Sequence, residues 1–295
     1  MKQSYNSNKI FSVVVLYWPD HETIRFIEQL AGYGWSVIAV VNGIEDIQKT
    51  KLKALKSITI IENKENLGLA RALNQGCERA FSLGAAHVFL LDQDSRPTNE
   101  LPDQLLIDFI SLKRAGRNIA AIGPTLVDVK CDARGIPKTE KSRSQFLNVD
   151  TIATSGSLIP KSAFEMVGNM CEWLFVDGID HEWCFRAKHR GLEIIKSDQR
   201  YMDHNMGDDG ITLLGRYRPL HRSPIRHFYI TRNSIFLIKQ AHISLIWRTK
   251  ELFKILYRSF IYIMISSNKI QTLKNICSGV YQGIFSVFYS KNGQQ

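Results

Sequence analysis

Short apolar runs alternate with helically spaced segments through the first third of this chain, and few architectures accommodate that rhythm. Residues 10–17 are β-branched and aromatic and stop at Trp18-Pro19, which predicts a buried strand. Residues 20–33 carry Ile24, Ile27 and Leu30 at helical spacing with polar residues between them. Residues 36–41 and 57–61 predict two further strands, the first closing on Asn42-Gly43. Strand, helix, strand, helix, strand is the order that builds a parallel sheet in an α/β fold.

The next strand carries chemistry. In His87-Val88-Phe89-Leu90-Leu91-Asp92-Gln93-Asp94-Ser95-Arg96-Pro97 the four apolar residues predict a strand buried on both faces, and it ends in two carboxylates one residue apart. Open α/β sheets bind ligands at that carboxyl edge. Hard oxygens there suit Mg2+ or Mn2+, ions that travel with phosphates, although Asp92 and Asp94 would serve equally as turn formers before Pro97. Upstream of this strand, Asn66 is placed to cap a helix whose apolar stripe is Ala70, Leu73, Cys77, Ala80 and Phe81. Its free amides and Arg71 would suit a diphosphate; an ordinary amphipathic helix with a solvated arginine fits the same residues.

Further on, residues 101–115 predict a helix, 119–123 a strand and 128–144 an exposed polar loop. Residues 151–160 read as a strand interrupted by Ser155-Gly156-Ser157, where small side chains permit close approach to the backbone, and Pro160 opens a short helix ending near Gly168. A second acidic cluster follows. Asp180 occupies an expected N-cap position, Gly191 an expected helix end, Asp177 precedes Gly178 in a turn, and Glu182 faces Arg186 at i+4. Capping and catalysis both account for Asp180. Residues 193–196 predict a short strand, after which His204 is structural unless a metal is bound nearby.

Five scattered cysteines form no CxxC pair and suggest neither a zinc site nor a disulfide framework, which points to a reducing cytoplasm. Residues 1–9 are polar, so no signal peptide is expected. The net charge of +10 is uneven: residues 216–295 hold 13 Lys or Arg against the single acid Glu251, a balance of +12, whereas the first 215 residues balance at −2.

The order Leu16-Tyr17-Trp18-Pro19, Val41-Asn42-Gly43, Asn66-Leu67-Gly68-Leu69-Ala70-Arg71, Leu91-Asp92-Gln93-Asp94, Ser155-Gly156 and Asp180-His181-Glu182-Trp183 resembles glycosyltransferase family 2. The resemblance runs over roughly residues 10 to 235 and is closest to bacterial rhamnosyltransferases of the family. It implies a GT-A-like α/β fold with a mostly parallel central sheet over residues 1–215, a metal-bound nucleotide sugar such as dTDP-rhamnose, and inversion at the anomeric carbon. By position, Asp92, Asp94 and His204 would hold Mg2+ or Mn2+, with Asp94 the more direct ligand, and Asp180 would be the base. Tyr17, Asn42, Asn66, Gly68, Arg71, Asn74, Asp92 and Gln93 would line the nucleotide sugar. Ser155, Gly156, Asp177, Glu182 and Trp183 would lie on the acceptor side. Many relatives carry a second acid immediately before the base; Ile179 stands there in this chain, and Asp177 is the reserve.

Within the basic extension 216–295, Arg226-x-x-Tyr229-x-x-Arg232-Asn233 resembles an element near the end of these transferases, placed to close over the site. Residues 243–267 mix aromatic and aliphatic residues with Arg248, Lys250, Glu251, Lys254 and Arg258. The uninterrupted apolar part is too short to span a bilayer, so a basic amphipathic helix on an anionic membrane surface is expected, with a helix packed on the catalytic domain as the alternative. A lipid-linked saccharide acceptor at the cytoplasmic face would suit that surface. A nucleotidyltransferase would want a Gly-rich basic loop after the first strand, which Tyr17-Trp18-Pro19-Asp20 lacks, and a nucleic-acid binder would leave Asp92, Asp94 and Asp180 without a task.

Overall fold

The apolar run that follows residue 9 is buried on nearly every side chain and forms β1 (Ile10–Leu16), the middle of a parallel array. This computed structural model describes residues 10–43, 46–55, 58–128, 145–204, 208–213, 216–220 and 223–285, with only the backbone described for 46–49, 128, 204, 208–213 and 216–220. The expectations for residues 1–9 and for a loop over 129–144 lie outside the described residues.

β1 pairs in parallel with β2 (Ser36–Val41) on one side and β4 (His87–Asp92) on the other, and β3 (Ile58–Glu62) pairs in parallel with β2. The intervening helices are α1 (His21–Gly32), α2 (Asp46–Ala54) and α3 (Leu69–Ser82), so the alternation in the sequence becomes a layered βα sheet. α3 lies close on this sheet because Gly76 has no side chain: a Cβ there would come within 2.3 Å of Val13.

Past β4 the sheet turns mixed. The full order is β3-β2-β1-β4-β7-β5-β8-β6, where β5 is Ile119–Asp128, β6 Phe146–Asn148, β7 Leu158–Pro160 and β8 Glu193–His204. β7 is antiparallel to β4 and β5, β6 is antiparallel to β8, and β5 and β8 are parallel. Three expectations change here. The strand expected over 151–160 is reduced to β7, because the Ser155-Gly156-Ser157 stretch turns back onto β4 through Gly156 N–H to Leu90 O at 2.7 Å and Leu90 N–H to Ser157 O at 2.9 Å. The strand expected over 119–123 continues to Asp128, and the one expected over 193–196 continues to His204, because the two pair in parallel along that length across two register shifts.

Helices α4 (Leu101–Arg114), α5 (Lys161–Val167) and α6 (Ile179–His189) complete the layers. β9 (Asp208–Leu213) and β10 (Arg216–Leu220) form an antiparallel pair. The C-terminal helices α7 (Pro224–Ile238), α8 (Leu245–Ile265) and α9 (Lys269–Phe285) follow. α9 packs on α7 through Gly279 and Gly283, where a Cβ would stand 2.7 Å from Phe228 O and 2.8 Å from the Ile235 Cβ.

Candidate active site

Parallel strands deliver their carboxyl ends to one edge, and register sets what meets there. Val15 is opposite Asp92 and Leu16 opposite Val41, so Tyr17, Asn42 and Asp92 emerge side by side. Gln93 ties two of these strands together: its Oε1 accepts from Tyr17 N–H at 2.8 Å and its Nε2 donates to Tyr17 O at 3.2 Å. The exposed Tyr17 and Trp18 rings stand edge to face at this rim, over Gly43. Asn42 is buried; it donates to Gly68 O at 3.0 Å and accepts from Asn63 at 2.7 Å, holding the turn that enters α3.

That turn differs from expectation. Gly68, not Asn66, is the N-cap: the exposed Asn66 accepts from Gly68 N–H at 3.0 Å, and Gly68 then turns into the helix with φ +85°. The amides expected to face a diphosphate are already occupied, since Leu69 and Ala70 N–H donate to Phe175 O at 2.6 and 3.3 Å. Arg71 is half exposed and lies 3.8 Å from Glu172. Asn74 is buried and spends its amide on Met170 and Glu172, so it anchors residues 170–172 to α3 rather than lining an opening.

Residues 173–178 make a tightly braced turn. Phe175, Asp177 and Gly178 have φ of +64°, +59° and +79°, a costly run for two non-glycine residues. α7 holds it. Asn233 Nδ2 donates to Leu174 O at 2.8 Å, Val176 O at 2.6 Å and Asp177 O at 2.8 Å, while Arg232 donates to Trp173 O and Leu174 O and stacks over the Trp173 ring. Arg226 closes the brace with a bidentate bond to the Asp177 carboxylate, 2.9 to 3.2 Å. Gly178 in the left-handed region is the true N-cap of α6, which puts Asp180 one residue inside the helix, its Oδ1 accepting from His181 N–H at 2.8 Å.

The result is a cavity of about 480 Å³ that Asp92, Ser155, Asp177 and Asp180 border together. Ser155 also accepts from Asp92 N–H at 3.2 Å and bonds Ser95, fixing the end of β4. Gly156, next to it, has φ +83° and packs beneath on Pro124 and Met202. Glu182 and Trp183, expected on the acceptor side, turn the other way. Glu182 is buried in a bidentate pair with Arg186, whose guanidinium also bonds Val167 O and Asn169 O, and Trp183 donates to Gly168 O at 2.9 Å. The i+4 pair read from the sequence is present, but as internal bracing.

A divalent cation would find hard oxygens at Asp92 and at the exposed Asp94. The end of β8 comes to this loop, since Arg96 N–H donates to Asp203 O at 3.1 Å and position 204 is its neighbour; the His204 side chain is not among those described. Among the described residues no three His, Cys, Asp or Glu side chains converge as a closed metal site. Carboxylates at Asp92 and Asp94 fit an ion that takes one or two protein ligands and completes its shell with phosphates and water.

Several cavity residues have no motif to announce them. Ser234 from α7 and Glu251, Lys254, Arg258 and Tyr262 from α8 form the far wall. Glu251 is buried and accepts from Ser234 Oγ at 2.9 Å, from Arg258, and lies 3.5 Å from Lys254. Burial pushes its carboxyl up, but Arg258, Ser234 and Lys254 together outweigh that and hold it below the usual range. The described cations of the extension largely turn inward: Arg226, Arg232, Arg248 and Arg258 all bond protein groups.

Comparison with known proteins identifies the family and the fold. The family model for glycosyl transferase family 2 matches residues 21–168. The chain is 30% identical over 292 residues to the dTDP-rhamnosyl transferase RfbF of Shigella flexneri, covering 95% of this chain and 96% of that one. Among solved structures, residues 1–349 of S. aureus TarS superpose with a TM-score of 0.58 at 15% identity over 93% of this chain and 80% of TarS 1–349. GalNAc-T7 with UDP, GalNAc and Mn2+ superposes with a TM-score of 0.52 at 13% identity over 87% of this chain and 56% of that one. With its sheet, its carboxylate-lined edge and these matches taken together, the chain is a glycosyltransferase of GT-A fold and belongs to glycosyltransferase family 2.

Proposed function

We propose that the enzyme transfers L-rhamnose from dTDP-rhamnose, with inversion, to a hydroxyl of a lipid-linked saccharide at the cytoplasmic face of a membrane, in the synthesis of a surface polysaccharide such as O-antigen. The observation that carries the mechanism is that Asp92 and Asp180, far apart in sequence, border one cavity. The identity to RfbF supports the choice of donor.

In a single displacement the acceptor hydroxyl must lose its proton as it attacks the anomeric carbon from the face opposite the leaving group. Asp180 takes that proton on a carboxylate oxygen; its helix position and the braced 173–178 turn aim it into the cavity. Asp177 is a weaker candidate because its carboxylate is already committed to Arg226. The leaving nucleoside diphosphate needs neutralisation rather than a proton, and Mg2+ or Mn2+ held by Asp92, Asp94 and His204 would supply that charge. With the Leu69 and Ala70 amides taken by Phe175, Arg71, the cation in the first turn of that helix, would meet the diphosphate. Tyr17 and Asn42 sit at the rim where the nucleoside would lie.

α8 supports the membrane setting. Its ionic residues Glu251, Lys254 and Arg258 face the cavity, while Leu252, Phe253, Leu256 and Phe260 point outward and are exposed, Phe253 by 68% and Phe260 by 67%. α9 adds Ile270, Leu273 and Ile284 outward, with exposed Lys250, Lys269 and Lys274 beside the patch. No helix among the described residues is long and apolar enough to cross a membrane. A helix that turns Glu251, Lys254 and Arg258 toward the cavity and an apolar face outward, with Lys250 exposed beside that face, suits an interface with anionic lipid.

The test is a donor screen with Mg2+ or Mn2+ that measures nucleoside diphosphate release. dTDP-rhamnose should be consumed by the native enzyme, and Asp180→Asn should lose at least about a hundredfold in kcat. Native-level turnover by that variant would remove Asp180 from the mechanism, and preference for another donor would remove rhamnose.

A further inference from the structure

The cavity is acidic along the edge that carries Asp92, Asp177 and Asp180, and cationic on the wall contributed by α7 and α8. Arg226 is matched by Asp177, but Lys254 and Arg258 share the single carboxylate of Glu251, which leaves that wall with one positive charge in excess. Two nitrogens on the lining, Nδ1 of His181 and Nε of Arg258, are shut off from solvent and make no hydrogen bond among the described residues, the His181 nitrogen lying 3.8 Å from Asp180 Oδ1. Buried polar nitrogens without a hydrogen bond are uncommon, and an excess cation beside them is the arrangement an anion satisfies.

The position of this wall says which anion. Tyr17, Trp18, Asn42 and Gln93, at the nucleoside end of the sheet edge, contribute nothing to the cavity, so the wall lies on the far side of Asp92 from the nucleotide. The opposite face of the same helix, α8, is the exposed apolar one. We propose that Lys254 and Arg258, with His181, form a subsite for the phosphate or diphosphate that joins the acceptor saccharide to its lipid. This deepens the proposed function and rests on it. The anion would be seated at α8 while the lipid follows the outer face of the helix and the sugar hydroxyl reaches Asp180.

The experiment uses the full chain and two probes. Farnesyl diphosphate and inorganic pyrophosphate are titrated calorimetrically, without divalent metal or vesicles, into native enzyme, Lys254→Gln and Arg258→Lys; the second variant keeps a cation beside buried Glu251 and so protects folding. Farnesyl diphosphate should bind native enzyme at least tenfold more tightly than Lys254→Gln, and saturating dTDP should not displace it. In turnover, Lys254→Gln should raise KM at least tenfold for a diphosphate-linked acceptor while leaving donor KM, and KM for the same saccharide as a neutral alkyl glycoside, unchanged. Displacement by dTDP, or a raised donor KM, would assign these cations to the donor and overturn the proposal. Equal loss on the neutral glycoside, or a parallel loss of binding to phosphatidylglycerol vesicles, would overturn it as well. The titration does not depend on the donor, so a chain that binds farnesyl diphosphate as described but ignores dTDP-rhamnose would keep the subsite and lose only the choice of sugar.

Discussion

Glu251 is the single acid in an extension that otherwise carries 13 Lys or Arg, and it is also a buried carboxylate on the cavity wall. Its count in the sequence was conspicuous, but its burial was not, because helical spacing does not say which face of α8 meets the protein. Since Arg258, Ser234 and Lys254 hold its carboxyl below the usual value of 4.5, the stability it contributes is present above that value and is lost as the pH falls through the lower folded value. Glu251→Gln should therefore lower Tm at neutral pH by leaving Arg258 short of a partner, and flatten the fall in Tm below about pH 4.5. Melting curves of both proteins from pH 3 to 8 decide it; parallel profiles would show that the carboxylate contributes no pH-dependent stability. Gly68 belongs to the same scale. Its glycine was legible as a turn, but the reason no side chain fits was not: a Cβ would stand 2.5 Å from Phe175, more than a hundred positions along the chain.

At the scale of elements, the βα alternation was legible because burial on both faces leaves a continuous apolar run, as in residues 88–91. Helix starts were less so. Asn66 and Asp180 were expected as caps on residue type, yet Gly68 and Gly178 take those positions, because backbone partners from elsewhere satisfy the first amides or the left-handed turn begins the helix. The acids of the site were visible as motifs, whereas the brace on the 173–178 turn depends on contacts between α7 and a segment some 57 positions earlier. That brace has a measurable consequence. Asn233→Ala removes three hydrogen bonds to a turn with two non-glycine residues at positive φ. Because one amide nitrogen carries only two N–H donors, shared here among three carbonyls, they stabilise the turn by about 2 kcal/mol at roughly 1 kcal/mol per donor. If the turn relaxes, Asp180 moves with it, and a displacement of about 1 Å costs on the order of a hundredfold in kcat. Donor KM should change little, since Asn233 lies away from the nucleoside rim; a rise in donor KM with unchanged kcat would show that the brace does not position Asp180.

For the whole molecule, the extension was legible as basic and aromatic, but its orientation depends on contacts between α7, α8 and α9 that no sequence pattern displays. The sequence predicts a basic amphipathic helix without saying which face meets the protein; in the folded chain Glu251, Lys254 and Arg258 of α8 line the cavity, and Leu252, Phe253, Leu256 and Phe260 are outside. In the proposed membrane setting, attraction to a bilayer would rest on apolar insertion, with Lys250, Lys269 and Lys274 adding an electrostatic part. Inserting Phe253 and Phe260 at roughly 1.5 kcal/mol each gives about 3 kcal/mol, on the order of a hundredfold in partition. The double variant F253E/F260E should thus float with phosphatidylglycerol vesicles about a hundredfold less than native enzyme. Raising salt should weaken native binding only in part, because salt screens the lysines and leaves the apolar term in place. The same variant should retain native turnover on a water-soluble acceptor, since neither side chain lines the cavity. Full flotation of the variant would place the contact with lipid elsewhere, and loss of turnover on the soluble acceptor would mean that the apolar face of α8 supports the fold rather than a membrane.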